Sequence, residues 1–169
     1  FAEKMSARLG IDVRPAAHVE DAVREMPLVV TATTCREPVV RGDAVTDGGL
    51  VCAIGSNWPQ RAEVEASVIG RAEAVVCDDV ACCRLEAGDL LQAEAAGAFA
   101  WENASGLADV VSGAKTCMAG PERLVFFKSV GMAIEDVAAA DYVVKQARER
   151  GVGREIEGLS LRDQPTTDR

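Results

Sequence analysis

The chain has 169 residues, 49% of them hydrophobic, which is enough for one domain with a sizeable core. Its 18 Lys and Arg stand against 27 Asp and Glu, and a net charge of -9 would repel nucleic acid and anionic membrane surfaces, so we expect neither as a partner. No apolar run approaches the roughly 20 residues of a membrane span. The start FAEKMSARLG also lacks the hydrophobic core of a signal peptide, so we expect a cytoplasmic protein.

Hydrophobic periodicity predicts strands that alternate with helices. In chain order the predicted elements are a strand near Ile11, a helix over 19–25, strands over 28–33 and 50–55, a helix over 62–71, a strand over 73–78, helices over 81–96 and 105–112, a strand over 123–127 and a helix over 130–150. The strand runs are apolar on both faces. This pattern is typical of a parallel sheet with helices on both sides.

The start of the last helix combines polar residues with a glycine. Ser129 is predicted to cap the helix, and the free amides beside Gly131 would favour an anion. Lys128 could add a donor to a ligand carboxylate, although an ordinary helix start with a surface lysine would have the same residue types. Glu135 and Asp136 suit the positive end of the helix. One apolar face predicts that the helix body belongs to the core, and it consists of Val130, Ala133, Ile134, Val137, Ala140, Val144 and Ala147.

The six cysteines form no CxxC pair, and several stand in apolar strand-like runs. We expect reduced, buried thiols. Cys82 and Cys83 are neighbours, but neighbouring residues on a helix point about 100° apart, and the single histidine, His18, is far away in sequence. We expect no metal site.

Ligands of open α/β sheets bind beyond the carboxyl ends of the strands. Three loops with unusual residues follow predicted strands, TATTCREP, GSNWPQR and KSVG. Thr31, Thr33 and Thr34 offer hydroxyl groups in the first loop. In the second, Gly55 would let the backbone pass close to a ligand and Asn57 offers a donor and an acceptor. The alternative for this second loop is a plain turn in which Trp58 is a packing anchor.

No segment matches the strand, GxGxxG turn and helix with which a dinucleotide-binding domain normally opens. The segment GVGREI at Gly151 has two of the glycines, but it follows a helix, and we predict a helix C-terminal turn there. Phe1 stands in apparent mid-helix. We therefore expect a chain that has lost its amino-terminal portion.

Four segments, VVTATTCREP, AIGSNWPQRAEV, RLEAGDLL and FFKSVGMAIEDVAAA, resemble in their order and separation the ornithine cyclodeaminase and mu-crystallin family of NAD(P)-dependent proteins. The resemblance runs from about residue 5 to residue 156. It implies that residues 1–150 are most of a Rossmann-like α/β domain that binds NAD or NADP, incomplete at its amino-terminal side. Residues 151–169 would be a tail that leads towards a missing domain for dimerisation and substrate binding.

The resemblance also implies the residues of a site. The cofactor would lie along Thr31, Thr33, Ile54, Gly55, Ser56, Arg61 and Ser129. Asn57 and Lys128 would stand at the catalytic positions. The substrate, a small imino or amino acid, would lie near Lys128, Ser129 and Val130.

One departure from the family pattern separates two reactions. By the resemblance, family members that convert ornithine to proline carry a GGDxPGK pattern in the second loop. The aspartate of this pattern is the catalytic acid/base. Here Asn57 stands in that place and Arg61 in the place of the lysine. An amide cannot shuttle a proton at neutral pH. Family members without the aspartate resemble reductases of cyclic ketimines, or ligand-binding proteins.

The leading hypothesis is therefore the cofactor-domain part of an NAD(P)H-dependent reductase of cyclic imino acids. The alternatives are an ornithine cyclodeaminase, which releases ammonia, and a non-catalytic protein that binds NAD(P) and a small ligand. The family keeps further arginine and lysine residues in its amino-terminal part, so we expect this chain alone to be inactive. The full-length protein would be a homodimer.

Overall fold

The computed structural model describes residues 1–156 and divides into two compact units, of which the first is residues 1–132 and the second begins at Ala133. The first unit contains one sheet. Its strands are β1 Leu28–Thr31, β2 Gly49–Ala53, β3 Ala74–Cys77, β4 Ala104–Gly106 and β5 Leu124–Lys128. They lie in the order β1-β2-β5-β3-β4, and all neighbouring strands are parallel. The predicted α/β fold with a parallel sheet is confirmed.

The helices mostly follow the prediction but are shorter. They are α1 Ala2–Leu9, α2 Val19–Val23, α3 Ala66–Arg71, α4 Val80–Glu86, α5 Gly88–Ala95, α6 Leu107–Val111 and α7 Ala133–Glu149. Helix α3 begins later than predicted because the preceding segment is extended and Val64 forms a parallel bridge with Val40. The single helix predicted over 81–96 is two helices, since Ala87 leaves the helical conformation between them.

One predicted strand is absent, and one strand of the sheet was not predicted. Residues 11–17 form no strand, and the amide of Val13 instead donates to the Ser6 hydroxyl at 2.8 Å. A strand needs a neighbour for its backbone groups, and no described strand pairs with this segment. Conversely, β4 lies where the helix over 105–112 was predicted to begin. Its three residues, Ala-Ser-Gly, carry no apolar run that could have predicted it.

The core lies on one face of the sheet. Strand residues such as Val51, Ala53 and Phe126 are buried together with Ile69 of α3 and Leu90 of α5. The opposite face of β1 is different, because Leu28 and Val30 are 56% and 54% exposed. The prediction that this strand is buried on both faces is therefore wrong in the described residues, in which β1 is an edge strand.

Helix α7 belongs to the second unit and has no buried residue. Its predicted apolar face is exposed, for example at Ile134 and Val137. An amphipathic pattern indicates which face could be buried but not that a partner covers it. Glu135 and Asp136 do lie in the first turn. At the other end the Gly151 amide donates to the Arg148 carbonyl and Gly151 has a positive φ of 61°, which confirms the predicted C-terminal turn. The rest of the predicted tail, residues 157–169, lies outside the described residues.

The six cysteines are all free thiols. Cys77 and Cys83 are buried as predicted, whereas Cys82 is exposed and the other three are partly buried. Within residues 1–156 the structure contains no helix with the length and apolar character needed to cross a membrane.

Candidate functional site

The loops after β1, β2 and β5 leave the same edge of the sheet. Backbone hydrogen bonds continue the strand pairing into them: the Ile54 amide donates to the Thr31 carbonyl at 2.9 Å, and the Ser129 amide donates to the Ala53 carbonyl at 3.1 Å. The three loops TATTCREP, GSNWPQR and KSVG therefore meet at the carboxyl edge of the sheet, where an open α/β sheet binds its ligands.

A buried glutamate joins the first two of these loops. The Glu63 side chain is fully buried. Its Oε1 accepts hydrogen bonds from the Thr33 amide at 2.7 Å and the Thr33 hydroxyl at 2.8 Å, and its Oε2 accepts one from the Gly55 amide at 2.7 Å. Such short bonds to a carboxylate are among the strong ones in proteins. Glu63 thus fixes the Thr33 loop against the Gly55 loop.

The structure gives a reason for glycine at position 55. A Cβ atom there would lie 2.2 Å from the Thr33 amide nitrogen and 2.4 Å from Oε1 of Glu63. No side chain fits in that space. The sequence predicted that the backbone at Gly55 passes close to a ligand. In the structure it passes close to the Thr33 loop, and the position of Gly55 along the cofactor stays a prediction.

The segment RLEAGDLL contributes a second buried carboxylate. Oδ1 of Asp89 accepts from the amides of Glu63 at 2.6 Å and Val64 at 3.0 Å. The preceding glycine makes this contact possible, because a Cβ at Gly88 would lie 2.0 Å from the Arg61 carbonyl oxygen. Asp89 thereby holds the backbone of the residue that joins the two loops.

Lys128 is the last residue of β5 and is completely buried, so the surface lysine of the plainer interpretation is wrong. Its Nζ lies 2.7 Å from Oδ2 of Asp89, but off the directions that a hydrogen bond requires, so the two groups form an ion pair without a well-directed bond. Direct contact between Lys128 and a substrate would require this pair to open. The catalytic and substrate-binding roles of Lys128 stay predictions.

Asp78, directly after β3, holds the loop after β5. Its Oδ2 accepts from the Ser129 hydroxyl and from the amides of Val130 and Gly131, each at 2.8 Å. Ser129 does not cap the last helix, which begins only at Ala133. The anion that the sequence predicted at these amides is supplied by the protein itself, as the Asp78 carboxylate.

The other predicted site residues have varied surroundings. Thr31 and Ser56 are buried, and neither hydroxyl has a hydrogen-bond partner within residues 1–156. Asn57 and Ile54 are exposed. Trp58 is also 58% exposed and is therefore not a packing anchor, but the Arg61 guanidinium lies 5.7 Å from the centre of its ring. The loop after β2 itself thus carries a hydroxyl, an amide and a cationic group, on Ser56, Asn57 and Arg61.

Two buried cysteines, Cys77 and Cys83, lie next to Asp78. The Cys83 thiol lies 3.4 Å from Oδ1 of Asp78. The pKa of Cys83 is raised mainly by a hydrogen bond with Cys77 and, to a smaller extent, by burial. In the part of the chain that the structure describes, no group of three His, Cys, Asp or Glu residues is arranged to hold a metal ion.

Comparison with known proteins connects this geometry to a family. The sequence model of the ornithine cyclodeaminase/mu-crystallin family matches residues 1–151. The chain belongs to this family. All four segments that carry the resemblance lie inside the match. The matched residues also include Glu63, Asp78 and Asp89, which hold the loops together.

Related members of the ornithine cyclodeaminase/mu-crystallin family include reductases. A Delta(1)-pyrroline-2-carboxylate reductase from Bacillus cereus is 32% identical over 93% of this chain and 48% of its own length. The ketimine reductase mu-crystallin of Rattus norvegicus is 34% identical over 84% of this chain and 42% of its own length. The chain spans about half the length of these relatives.

A solved structure shares the fold. The Delta(1)-pyrroline-2-carboxylate reductase of Thermococcus litoralis, in complex with NADH and L-proline, superposes with a TM-score of 0.85 at 30% identity. The match covers 92% of this chain and 48% of the other chain. The Rossmann-like fold of the first unit is thereby confirmed.

Three buried carboxylates at the site, Glu63, Asp78 and Asp89, were not predicted from the sequence. Two signals could have found them. Asp78 directly follows an apolar strand, at the edge where ligand-binding groups are expected. Glycine is unfavourable within a predicted helix, so the Gly88-Asp89 pair inside 81–96 indicated a close contact with another segment. Glu63, between two apolar residues, carried no comparable signal.

Proposed function

We propose that the protein that contains this chain is an NAD(P)H-dependent reductase of cyclic imino acids, such as a pyrroline carboxylate. The observation that carries the proposal is Asn57, an exposed amide in the loop after β2. Deamination of ornithine needs a group there that can take up and release a proton, whereas imine reduction does not need it at that position. The reductases among the relatives support the same choice.

The described residues fit the cofactor that this reaction needs. The loops after β1, β2 and β5 begin at one edge of the sheet. In that region the buried Ser56 hydroxyl has no hydrogen-bond partner within residues 1–156. NADH or NADPH would supply a hydride to the C=N carbon. We propose that Thr33, Gly55 and Ser56 lie along the cofactor, while Ile54 and Arg61 flank them.

The Ser129 hydroxyl has a defined orientation in this proposal. It donates its proton to Asp78 and accepts from the Gly131 amide at 3.2 Å. Only an acceptor lone pair therefore remains for a cofactor or substrate group. Ser129 can thus orient a donor on the ligand, such as an amide or a protonated imine nitrogen, but it cannot itself donate a proton while the bond to Asp78 holds.

Two other functions remain as alternatives for the whole protein. Ornithine cyclodeaminase activity has the support of the family and is opposed by Asn57. A non-catalytic role would combine cofactor binding with a small acidic ligand. The expectations of a cytoplasmic homodimer and of an inactive isolated chain also stay predictions.

The deciding experiment uses the whole protein with NADH or NADPH and a cyclic imino acid. We expect loss of nicotinamide absorbance that depends on the imine. Release of ammonia from ornithine without a net change in that absorbance would identify a cyclodeaminase instead. Tight cofactor binding without turnover of either substrate would support the binding protein and contradict both enzymes.

A further inference from the structure

We propose that Glu63 is a positioning residue for the cofactor, a role that rests on the function proposed above. Glu63 need not touch the cofactor itself. Its carboxylate holds together the two loops along which the cofactor is proposed to lie, through the Thr33 and Gly55 amides. The width of the site between these loops is therefore set by one side chain.

All hydrogen-bonding groups of Glu63 are engaged. The carboxylate accepts three bonds, the backbone amide donates to Asp89, and the backbone carbonyl accepts from the amides of Val39 and Val40 at 2.9 and 3.0 Å. A side chain held at both backbone groups has little freedom to move. Such fixed supports keep binding groups within the small tolerances that a ligand site requires.

The ion pair beneath Glu63 supports the same interpretation. Asp89 binds the Glu63 amide through Oδ1, and its other oxygen, Oδ2, lies beside the Lys128 ammonium. Lys128 is the residue before Ser129. A continuous series of buried polar contacts thus connects the loops after β1 and β2 with the end of β5, and Glu63 is the member that ties the first two loops together.

Both carboxylate oxygens are needed as acceptors. In Glu63→Gln, one oxygen becomes an NH2 group, and this donor would face the N–H of either Thr33 or Gly55. One loop would then lose its hydrogen bond and move away from the other. The change should weaken cofactor binding more than it alters turnover once the cofactor is bound.

Glu65→Gln is a matched control. Oε2 of Glu65 accepts from the Gly42 amide at 2.8 Å, so this variant also disturbs a carboxylate that binds a backbone amide, two residues along the chain but in contact with a different loop. Both variants remove one carboxylate charge, but the remaining oxygen in Glu65→Gln can still accept from the Gly42 amide, because Glu65 uses only one of its two oxygens. Only Glu63→Gln should lose cofactor affinity.

The test measures the dissociation constants of NADH and NADPH, and kcat at saturating cofactor, for the whole protein and both variants. We expect Glu63→Gln to weaken binding of the preferred cofactor about tenfold, the effect of about one lost hydrogen bond to a charged group, and to change kcat less than about twofold. If Glu63→Gln does not fold, Glu63→Asp should show the same effect on binding rather than on kcat, because it keeps the charge and both acceptor oxygens but is too short to reach the Thr33 and Gly55 amides together.

The inference is wrong if cofactor affinity in Glu63→Gln stays within about twofold of that in Glu65→Gln. It is also wrong if kcat falls as much as affinity, since that result would place Glu63 in the chemical step. Cofactor binding without imine turnover in the unsubstituted protein would contradict the proposed reductase but leave this inference standing. Absence of any cofactor binding would contradict both.

Discussion

The ammonium group of Lys128 lies 2.7 Å from the carboxylate of Asp89, and both side chains are completely buried. Asp89 also accepts two backbone hydrogen bonds, whereas the structure gives Lys128 no well-directed one within residues 1–156. A charge in such a place is tolerated only because its partner is present. The two residues should therefore act as a unit.

We expect Lys128→Met and Asp89→Asn each to lower the free energy of unfolding by about 3–5 kcal/mol, because each leaves one buried charge without its partner. The double variant should be more stable than either single variant, since it removes both charges and keeps an oxygen for the Glu63 amide. Chemical denaturation measures all three. Lys145→Met is the control, because its ion pair with Asp141 is exposed and should contribute less than about 1 kcal/mol. Additive losses in the double variant would show that the pair is not coupled.

The same variants test the direct role predicted for Lys128. If its ammonium holds a substrate carboxylate, Lys128→Met should raise the KM for the imine and Asp89→Asn should not reproduce that change. If Lys128 acts only through Asp89, both single variants should change cofactor binding in the same direction. Steady-state kinetics of the whole protein, with cofactor and imine varied separately, distinguish the two results.

Asp78 is expected to determine the conformation of the loop after β5. Asp78→Ala removes the acceptor of three hydrogen bonds, from Ser129, Val130 and Gly131, and leaves these donors in a partly buried place. The loss should be about 2–3 kcal/mol of unfolding free energy. Faster exchange of the Val130 and Gly131 amides with solvent deuterium would locate the effect. Asp43→Ala, an exposed position, serves as the control, and equal exchange in both variants would contradict this role.

Alanine at Gly55 should be destabilising for steric reasons. The added Cβ would meet backbone atoms of Thr33, which cannot move aside as the end of a flexible side chain could. We expect a loss of about 1–3 kcal/mol or more. Gly106→Ala is the matched control, because the nearest atom to its Cβ would be 3.7 Å away, on Asp109. Thermal unfolding of the two variants should differ clearly, and equal midpoints would mean that the two loops are not in contact.

Cys82 should react more readily when its capping neighbour loses its charge. Asp79 accepts a hydrogen bond from the Cys82 amide at 2.7 Å at the start of α4, and contact with the Asp79 side chain raises the pKa of the Cys82 thiol. In Asp79→Asn the thiolate fraction at mildly alkaline pH should rise. Labelling by an aromatic disulfide reagent, with Cys82→Ser to identify the signal, measures the rate. An unchanged rate would contradict the contact.

The stability that the Asp79 cap gives to α4 should depend on pH, because Asp79 is itself titratable. Hydrogen bonds from the Cys82 backbone lower the pKa of Asp79 in the folded chain. A lowered folded pKa means that the stabilisation is complete above the ordinary aspartate pKa and is lost as the pH falls through the lowered value. The stability difference between the unsubstituted chain and Asp79→Asn should therefore shrink in acid. A difference that is constant with pH would contradict the charge effect.

The sequence predicted the strands of this fold better than its site. Apolar runs identified β1, β2, β3 and β5 to within about two residues, because burial requires apolar side chains wherever a strand is covered. Strand β4 escaped because three small residues pair with β3 without an apolar pattern.

The sequence indicated which loops meet at the carboxyl edge of the sheet, but not the residues that hold these loops together. Strand ends indicated where Thr33, Gly55 and Ser129 would meet. Glu63 and Asp89 were not found, because charged residues are usually exposed and only the folded chain brings the amides that bind them into place. The direction in which Lys128 points was missed for the same reason, since its partner Asp89 lies in a segment that the sequence assigns only to a helix.

The strand order has a consequence for the emergence of the chain from a ribosome. The central strand, β5, is synthesised after all the others, and it pairs with both β2 and β3, for example at Gly49 with Leu124. Until Leu124–Lys128 has been made, β1-β2 and β3-β4 are separate pairs, each with an open inner edge that could bind another chain. Pairing over such a long stretch of sequence is slow. The growing polypeptide should therefore depend most on protection by chaperones just before residues 124–128 are released.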